Sequence, residues 1–233
     1  MEPDGGRRHL GEQTWTSLHH ATRRPLLAVP VGSCEQHGPH LPLDTDTRIA
    51  VALAEGLVQS FDPGDVMVTP PITISASGEH NGFAGTLSFG NEVVESMLVE
   101  LVRSADWSSG VVLVNGHGGN AEPIRRAVQR LTSERRRVLP WFPHVSGADA
   151  HAGHTETSLL LAIAPDLVRV DAAEVGRTEH VTDLIGELRA GGVRAVSPNG
   201  VLGDPRFANA AHGRSLLTRL TIDLVSAVDE WWE

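Results

Sequence analysis

The chain has 233 residues, 40% of them hydrophobic, and a formal net charge of −10 from 19 basic and 29 acidic side chains. This length can bury one sizeable core, so we expect a single domain over residues 1–233, with a loose N-terminal arm at residues 1–12. The acidic balance argues against nucleic acid and anionic membranes as partners. Because no segment reaches the length of a membrane span and the first residues lack an apolar leader, we expect a cytoplasmic protein.

Missing residue types narrow the possible chemistry. All 19 basic residues are arginine, tyrosine is absent, and Cys34 is the single cysteine. Without lysine the chain cannot form a Schiff base with pyridoxal phosphate, and it has neither a P-loop lysine nor the tyrosine–lysine pair of a short-chain dehydrogenase. One cysteine cannot form an internal disulfide, a cysteine-rich zinc site or an iron–sulfur cluster. Catalysis or metal binding therefore depends on histidine and carboxylate side chains.

Apolar strands and amphipathic helices alternate through the first half of the chain. In order, the pattern predicts a short helix, a strand, a helix, a strand, a long loop and a helix, at residues 14–21, 26–31, 47–61, 66–69, 72–90 and 91–107. The first strand is apolar along its whole length, which is typical of a strand buried on both faces. The long loop carries modest charge, so we expect it to be ordered and to cover a site. Asn91 is the predicted N-cap of the helix that follows.

The second half continues the same alternation. The predicted elements are a strand, a helix, a strand and three further helices, at residues 110–115, 121–134, 138–142, 157–164, 179–189 and 212–233, with an extended segment at 168–170. Pro140 and Pro143 place the last of these strands on a sheet edge. Buried strands that alternate with amphipathic helices predict an α/β fold with a mostly parallel sheet and helices on both faces. Ligands of such folds bind beyond the carboxyl ends of the strands.

A loop rich in acids and histidines follows the first strand. Glu35 and His37 are two residues apart, so on an extended backbone their side chains leave on the same side. Asp44 and Asp46 repeat this spacing. Acids in a loop usually face water, but a solvated loop rarely begins directly at a buried strand with this arrangement. Carboxylate and imidazole suit zinc, manganese or iron, and a shared aspartate can bridge two ions, so the loop is a candidate metal site.

The segment from Asn115 to Asn120 follows another buried strand and has two interpretations. Its glycines could cradle a phosphate through backbone N–H groups, which would suit a non-catalytic nucleotide-binding module. It lacks the spacing of the dinucleotide fingerprint, however, and phosphate binding does not require the histidine in the middle. We favour His117 as a metal ligand, which the fold would bring close to the first loop because both follow buried strands.

A third segment, from His151 to Thr157, begins a predicted helix. Its acids and polar residues could simply cap the helix N-terminus, which alone would explain Glu156. The alternative is that His151 and Glu156 join the other two segments at one site. The residue pattern by itself leaves both interpretations open.

The three segments together resemble the creatininase family of metal-dependent amidohydrolases. The shared motifs are G-S-C-E-Q-H-G-P-H-L-P-L-x-T-D at residues 32–46, N-G-H-G-G-N at residues 115–120, and H-A-G-x-x-E-T-S at residues 151–158. The resemblance implies a three-layer αβα sandwich, two divalent ions per chain, and assembly into a homo-oligomer, commonly a hexamer. Zn²⁺ or Fe²⁺ is the expected metal, with Mn²⁺ as a further candidate.

The resemblance also implies roles for individual residues. The positions that match metal ligands are Glu35, His37, Asp46 and His117. Asp46 would bridge the ions. Creatininase itself has a glutamate where this chain has Gly119, so the missing carboxylate is assigned to Glu156, and creatinine becomes a doubtful substrate. Glu156 and His151 are the expected catalytic residues, and His151 would pass a proton to the leaving nitrogen of the amide.

Within the family, the chain is most similar to members that process a peptide precursor. The implied reaction is hydrolysis of the glycine–valine amide next to a modified C-terminal valine–tyrosine pair, which would release that pair as a cyclic amine. The modified precursor peptide would then be the partner of the enzyme. Two alternatives remain open: a small-molecule cyclic amidohydrolase or deformylase, and the non-catalytic nucleotide-binding module.

Overall fold

Residues 8–232, the part of the chain that the computed structural model describes, contain four strands and seven α-helices. The strands are β1 (Leu26–Val31), β2 (Val66–Val68), β3 (Gly110–Asn115) and β4 (Val138–Trp141). The helices are α1 (Trp15–His19), α2 (Thr45–Gln59), α3 (Asn91–Ser104), α4 (Ala121–Ser133), α5 (His154–Ile163), α6 (Val181–Val196) and α7 (Ala210–Trp232). None of these helices combines the length and the apolar character that crossing a membrane requires.

The strands form one sheet in the order β2-β1-β3-β4, and every pair in it is parallel. In the two ladders that β1 forms, Leu26 lies opposite Val66 of β2 on one side and Gly110 of β3 on the other. β4 lies at an edge, which is the position that its Pro140 predicts, because proline cannot donate to a ladder on both sides. The prediction of a mostly parallel sheet is therefore confirmed.

Helices cover both faces of the sheet. Successive side chains of a strand point to opposite faces, so Ala28 and Val112 pack on one side with the apolar residues of α2, α5 and α7. Val29 and Leu113 pack on the other side with α3 and α4. All residues of β1 and β3 are buried, as their continuous apolar sequences predict. This arrangement confirms the three-layer αβα sandwich.

Two local predictions are wrong. The N-cap of α3 is Gly90, with a φ of 77°, and Asn91 is the first helical residue. Glycine adopts this backbone conformation without the strain that a side chain would cause. The segment at 168–170, predicted to be extended, runs into a 3₁₀ helix at Val170–Ala172.

α6 is longer than the pattern at 179–189 indicates. The helix resumes after a break at Gly192, where φ is 70° and ψ is −178°. A Cβ atom at this position would lie 2.7 Å from the backbone oxygen of Glu79. The glycine therefore allows α6 to pass close to the long loop at 72–90.

The N-terminal arm is docked where the structure describes it. Residues 1–7 of the predicted loose arm lie outside the described residues. The carbonyl of Arg8 accepts a 2.9 Å hydrogen bond from the backbone N–H of Val68 in β2. The imidazole of His9 forms a 2.6 Å hydrogen bond with Glu55 of α2. This part of the arm therefore packs against β2 and α2 and is not loose.

The carboxyl ends of the two central strands bring the predicted loops together. Gly116 donates its backbone N–H to the carbonyl of Val31 at 2.8 Å, and Gly32 donates to Ile72 at the start of the long loop at 2.9 Å. A Cβ on Gly32 would lie 2.2 Å from Oγ1 of Thr47, so its absence lets α2 begin close to the end of β1. Three loops therefore meet at the edge where parallel α/β folds bind their ligands.

Candidate metal centre

Glu35 and His37 follow β1, and both are fully buried. Nδ1 of His37 donates to the carbonyl oxygen of Glu35 at 3.1 Å, which turns the other ring nitrogen toward the acids. Nε2 of His37 lies 3.0 Å from Oδ1 of Asp46 and 3.8 Å from Oε2 of Glu156. The imidazole of His37 therefore lies between carboxylates that come from α2 and α5.

Asp46 lies in the first turn of α2, between two imidazoles. Its Oδ1 faces His37, and its Oδ2 lies 3.0 Å from Nδ1 of His117. The hydroxyl of Ser33 donates to Oδ2 at 2.8 Å and holds the carboxylate in place. Asp44, which shares the two-residue spacing, is 44% exposed and points elsewhere. Each oxygen of Asp46 faces a different histidine, which is the arrangement that a bridging carboxylate needs.

His117 reaches the same point from β3. Its Nε2 donates to the carbonyl of Ala76 at 2.9 Å, so the long loop covers this side of the site, as its sequence predicts. The same nitrogen lies 3.1 Å from Oε2 of Glu35. The side-chain amide of Asn115 donates to the carbonyl of His117 at 2.6 Å and fixes the backbone of this turn.

His151 and Glu156 approach from the start of α5. Oε2 of Glu156 accepts a 2.6 Å hydrogen bond from a backbone N–H just before the helix, as the helix-cap interpretation expects, and it also faces His37. His151 is buried, and its Nε2 donates to the carbonyl of Gln36 at 2.9 Å. Nδ1 of His151 lies 3.9 Å from Oε1 of Glu35. The third segment therefore joins the first two.

Among residues 8–232, three groups of side chains each offer ligand atoms that lie within 4.8 Å of one another. The groups are Glu35 with Asp46 and His117, His37 with Asp46 and Glu156, and Glu35 with His37 and His151. Asp46 belongs to the first two groups. The structure thus brings all the predicted ligands and His151 together from three distant segments of the chain.

The Glu35 carboxylate provides a test of whether these residues fit a metal ion. Both of its oxygens are buried, and neither accepts a hydrogen bond from any side chain or backbone group of residues 8–232. Nitrogens of His80 and His117 approach them to 3.2 and 3.1 Å without hydrogen-bonding geometry. A buried carboxylate that accepts no hydrogen bond lowers the stability of the folded protein unless a cation neutralises its charge. Because carboxylate and imidazole are common donors to zinc, iron and manganese, the residues fit such an ion.

The acidic and imidazole side chains of the site shift one another's pKa values in the metal-free protein. Burial lowers the pKa of His37, but the neighbouring carboxylates, Asp46 above all, outweigh it and raise that pKa to about 10. The pKa of His117 is also raised, because Glu35 and Asp46 outweigh the effect of burial. The two imidazoles hold the pKa of Asp46 well below its usual value, against the effect of burial. Burial raises the pKa of Glu156 to about 7.

His80 and Gln36 also belong to the site, although the sequence pattern did not assign them to it. Nε2 of His80 lies 3.2 Å from Oε1 of Glu35. The side-chain amide of Gln36 lies 2.9 Å from Nδ1 of His80 and donates to the carbonyl of Gly200 at 3.0 Å. Two features of the sequence could have indicated them. His80 is a histidine in a loop that was expected to cover a site, and Gln36 lies between the predicted ligands Glu35 and His37.

A cavity of about 640 Å³ opens beside these side chains. Glu79 lies at its edge, with Oε1 3.5 Å from Nε2 of His117. A Cβ on Gly119 would lie 2.1 Å from that oxygen, so Glu79 occupies the space into which a side chain at 119 would project. The other residues that line the cavity include His80, His151 and Glu156 on one side and Val181, Ile185 and Leu188 of α6 on the other.

Known proteins are similar to this chain in sequence and in fold. The mycofactocin precursor peptide peptidase of Mycolicibacterium smegmatis (strain ATCC 700084 / mc(2)155) is 48% identical over 227 residues, which are 95% of this chain and 91% of that protein. A mutant creatininase described as Zn-Zn type has a TM-score of 0.79 at 22% identity, over 97% of this chain and 98% of that one. A structure described as Creatininase Mn has a TM-score of 0.73 at 23% identity, over 97% and 99% of the two chains.

The family assignment follows from the extent of these matches. The creatininase family profile, described as creatinine amidohydrolase, matches residues 11–228. The solved structures show the same fold at low identity, and two of their descriptions name zinc or manganese. The resemblance seen in the three sequence motifs is therefore confirmed, and the chain belongs to the creatininase family.

Proposed function

We propose that the chain is a metal-dependent peptidase that holds two divalent ions and cleaves an amide bond of the mycofactocin precursor peptide. The observation that carries this proposal is the position of Asp46, which is shared by two groups of candidate ligands around the buried Glu35 carboxylate. The relative that is 48% identical over most of both chains supports a peptide substrate, because it is named as a peptidase of that precursor.

The two groups that share Asp46 would hold the ions. Glu35 and His117 complete one group, and His37 and Glu156 complete the other. Zn²⁺ or Fe²⁺ suits these donors, and Mn²⁺ is also compatible with them. Ions of this kind, when bound, lower the pKa of water and polarise the carbonyl of an amide.

His151 is assigned the proton transfer. Its Nε2–H donates to the carbonyl of Gln36, so the lone pair lies on Nδ1, on the side of Glu35. Burial lowers the pKa of His151 well below its usual value, and the charge of His37 acts in the same direction, so the ring is neutral. A neutral imidazole beside the cavity can take up a proton at Nδ1 and deliver it to the leaving nitrogen of the amide.

The proposed scissile bond is the glycine–valine amide next to the modified C-terminal valine–tyrosine pair, released as a cyclic amine. The cavity of about 640 Å³ has room for the end of a peptide. Gly119 stands where creatininase has a glutamate, which counts against creatinine as the substrate.

Peptide cleavage and metal content, measured on one preparation, test this function. Metal-loaded protein should release the C-terminal fragment from matured precursor peptide, detected by mass spectrometry, and should contain about two ions per chain. Glu35→Ala and His117→Ala should lose metal and cleavage together. Glu100→Ala, at a side chain of α3 that is 69% exposed, is the matched control and should lose neither.

Other outcomes would select a different function. Turnover of cyclic or formylated amides by metal-loaded protein that leaves the precursor intact would favour the small-molecule amidohydrolase or deformylase. Protein that binds no metal and is indifferent to Glu35→Ala would favour the non-catalytic nucleotide-binding module.

We also propose that residues 1–233 form a single domain and that the chain assembles into a homo-oligomer, a hexamer by resemblance to the family. Light scattering after size-exclusion chromatography should then give about six times the chain mass of 24.9 kDa. The mass of one chain would contradict this assembly. The cytoplasmic location and the absence of nucleic-acid and membrane partners stay predictions from the sequence.

A further inference from the structure

The cavity beside the metal centre has two chemically different sides. One side carries the candidate metal ligands and His151, and the other is formed by α6. Val181, Ile185, Leu188 and Arg189 of α6 line that second side, and we call its three aliphatic side chains the α6 wall. Their spacing of four and three residues places them on one face of the helix.

Val181 and Ile185 of the α6 wall are exposed in a way that packing among residues 8–232 does not explain. Val181 is 38% exposed and Ile185 is 43% exposed, although both are large aliphatic side chains. Leu184 is buried and packs with Val196 and Leu202, so the helix already has an apolar contact with the rest of the protein. Leu188 also packs against this cluster, whereas Val181 and Ile185 are apolar surface that faces the cavity in addition to the surface that holds the helix in place.

α6 is fixed relative to the metal centre. The guanidinium of Arg194 donates to the carbonyl of Gly82 and lies 5.6 Å from the ring centre of Phe83, both in the long loop. The same loop supplies His80 and the carbonyl of Ala76 to the site. Arg194 follows the break at Gly192, so these contacts fix the last turn of α6, and the α6 wall is joined to that turn through the packing of Leu184 on Val196.

We propose that the α6 wall determines specificity by binding an apolar group next to the amide that the enzyme cleaves. This inference rests on the proposed amide hydrolysis, and it adds the residues that recognise the aliphatic or aromatic group beside the scissile bond. A polar amide as small as a formyl group would leave the wall in contact with water and would gain nothing from it.

Kinetics with the matured precursor peptide test the role of Ile185. Ile185→Asn should raise KM about tenfold, and by more than it lowers kcat, because it removes apolar binding that is present before the transition state. Its metal content and melting temperature should match those of the unsubstituted protein. The matched control is Ile222→Asn on α7, at a side chain that is 61% exposed, and it should leave KM unchanged.

A second measurement separates this inference from the proposed function. Acetohydroxamate and hexanohydroxamate carry the same chelating group, and their affinity for the zinc-loaded protein can be measured by calorimetry. Hexanohydroxamate should bind about tenfold more tightly, and Ile185→Asn should abolish the difference. If this gain is found while the precursor is not cleaved, the peptidase function fails and the α6 wall stands. Equal affinities for the two hydroxamates, with KM unaffected by Ile185→Asn, would overturn the inference.

Discussion

Glu35 and Asp46 lie in the interior of the protein, where an unpaired carboxylate is strongly disfavoured. In the metal-free protein their charges are balanced by the imidazoles of His37 and His117, whose pKa values are both raised. Protons and metal ions therefore compete for the same nitrogen atoms, since a ligand imidazole must be neutral.

This competition predicts that metal binding releases protons. At pH 7 the pKa of His37, about 10, and the raised pKa of His117 keep both rings protonated in the metal-free protein. Loading should then release about two to three protons per chain, two from these rings and part of another from Glu156, whose pKa is about 7, and the apparent affinity for Zn²⁺ should rise as the pH rises from 6 to 8. Calorimetric titrations in two buffers with different ionisation enthalpies would measure the release. An affinity that is constant over this range would contradict the prediction.

Gly119 and Gly118 offer a matched pair of substitutions beside His117. A Cβ at Gly119 would lie 2.1 Å from Oε1 of Glu79 and 2.4 Å from Nε2 of His117, whereas a Cβ at Gly118 would meet no atom of the described residues within 4 Å. Gly119→Ala should lower the free energy of unfolding by about 1–3 kcal/mol and reduce metal content, because His117 must move. Gly118→Ala should change neither. Chemical denaturation and elemental analysis of both variants would decide.

At the scale of elements, α5 is held in place by α7. The backbone oxygen of Ser158 lies so close to Gly213 that a Cβ there would be 1.8 Å away. The hydroxyl of Ser158 also accepts a 3.2 Å hydrogen bond from the backbone N–H of Asn209, just before α7. Because α5 begins beside His151 and contains Glu156, this contact sets the position of one side of the metal centre.

Gly213→Ala should therefore disturb both stability and the site. We expect the free energy of unfolding to fall by about 1–3 kcal/mol, since backbone atoms of α5 cannot move aside cheaply. Gly186→Ala in α6 is the control, because a Cβ there meets no atom within 4 Å in the part of the chain that the structure describes. It should raise the free energy of unfolding by about 0.5–1 kcal/mol through helix propensity. Equal effects of the two substitutions in urea denaturation would argue against the close contact.

The elements that the sequence predicted well are those whose burial is complete. β1 and β3 are apolar at nearly every position, so the local sequence alone identifies them as strands in the interior of the sheet. The N-cap of α3 and the break in α6 depend on glycine conformations that a periodic pattern does not reveal. Patterns describe how a segment is buried, and they do not describe backbone angles at its ends.

The candidate site was predictable to the extent that its residues form motifs. Spacing alone did not separate Asp46 from Asp44, and the resemblance to a family made that choice. His80 was not assigned because its loop has no period, and its position depends on a contact with Gln36 from a different part of the chain. Side chains brought in by tertiary contacts of irregular segments carry little local signal.

At the scale of the whole molecule, the candidate metal centre joins segments that are far apart in the chain. Asp46, His117 and Glu156 begin or precede three different helices, on both faces of the sheet. An ion that binds the folded protein and not the unfolded chain adds to stability through mass action, by about 4 kcal/mol at a thousandfold excess over Kd. Metal binding should therefore be a large part of the stability of the loaded protein.

Removal of metal provides the corresponding prediction. Excess EDTA should lower the melting temperature and the urea midpoint of the unsubstituted protein, measured by circular dichroism. Glu35→Ala, which lacks a candidate ligand, should be much less sensitive to EDTA. A melting temperature that EDTA does not change would contradict a structural contribution from the ions.

α6 forms one side of the cavity and supplies none of the predicted metal ligands. The residues that contact a substrate's apolar group and those that break its amide bond would then lie on separate segments. Substitutions in Val181, Ile185 and Leu188 could change the substrate while the ligands stay constant. Such a division would allow members of one family to act on different substrates, as the names creatinine amidohydrolase and mycofactocin precursor peptide peptidase of two relatives indicate.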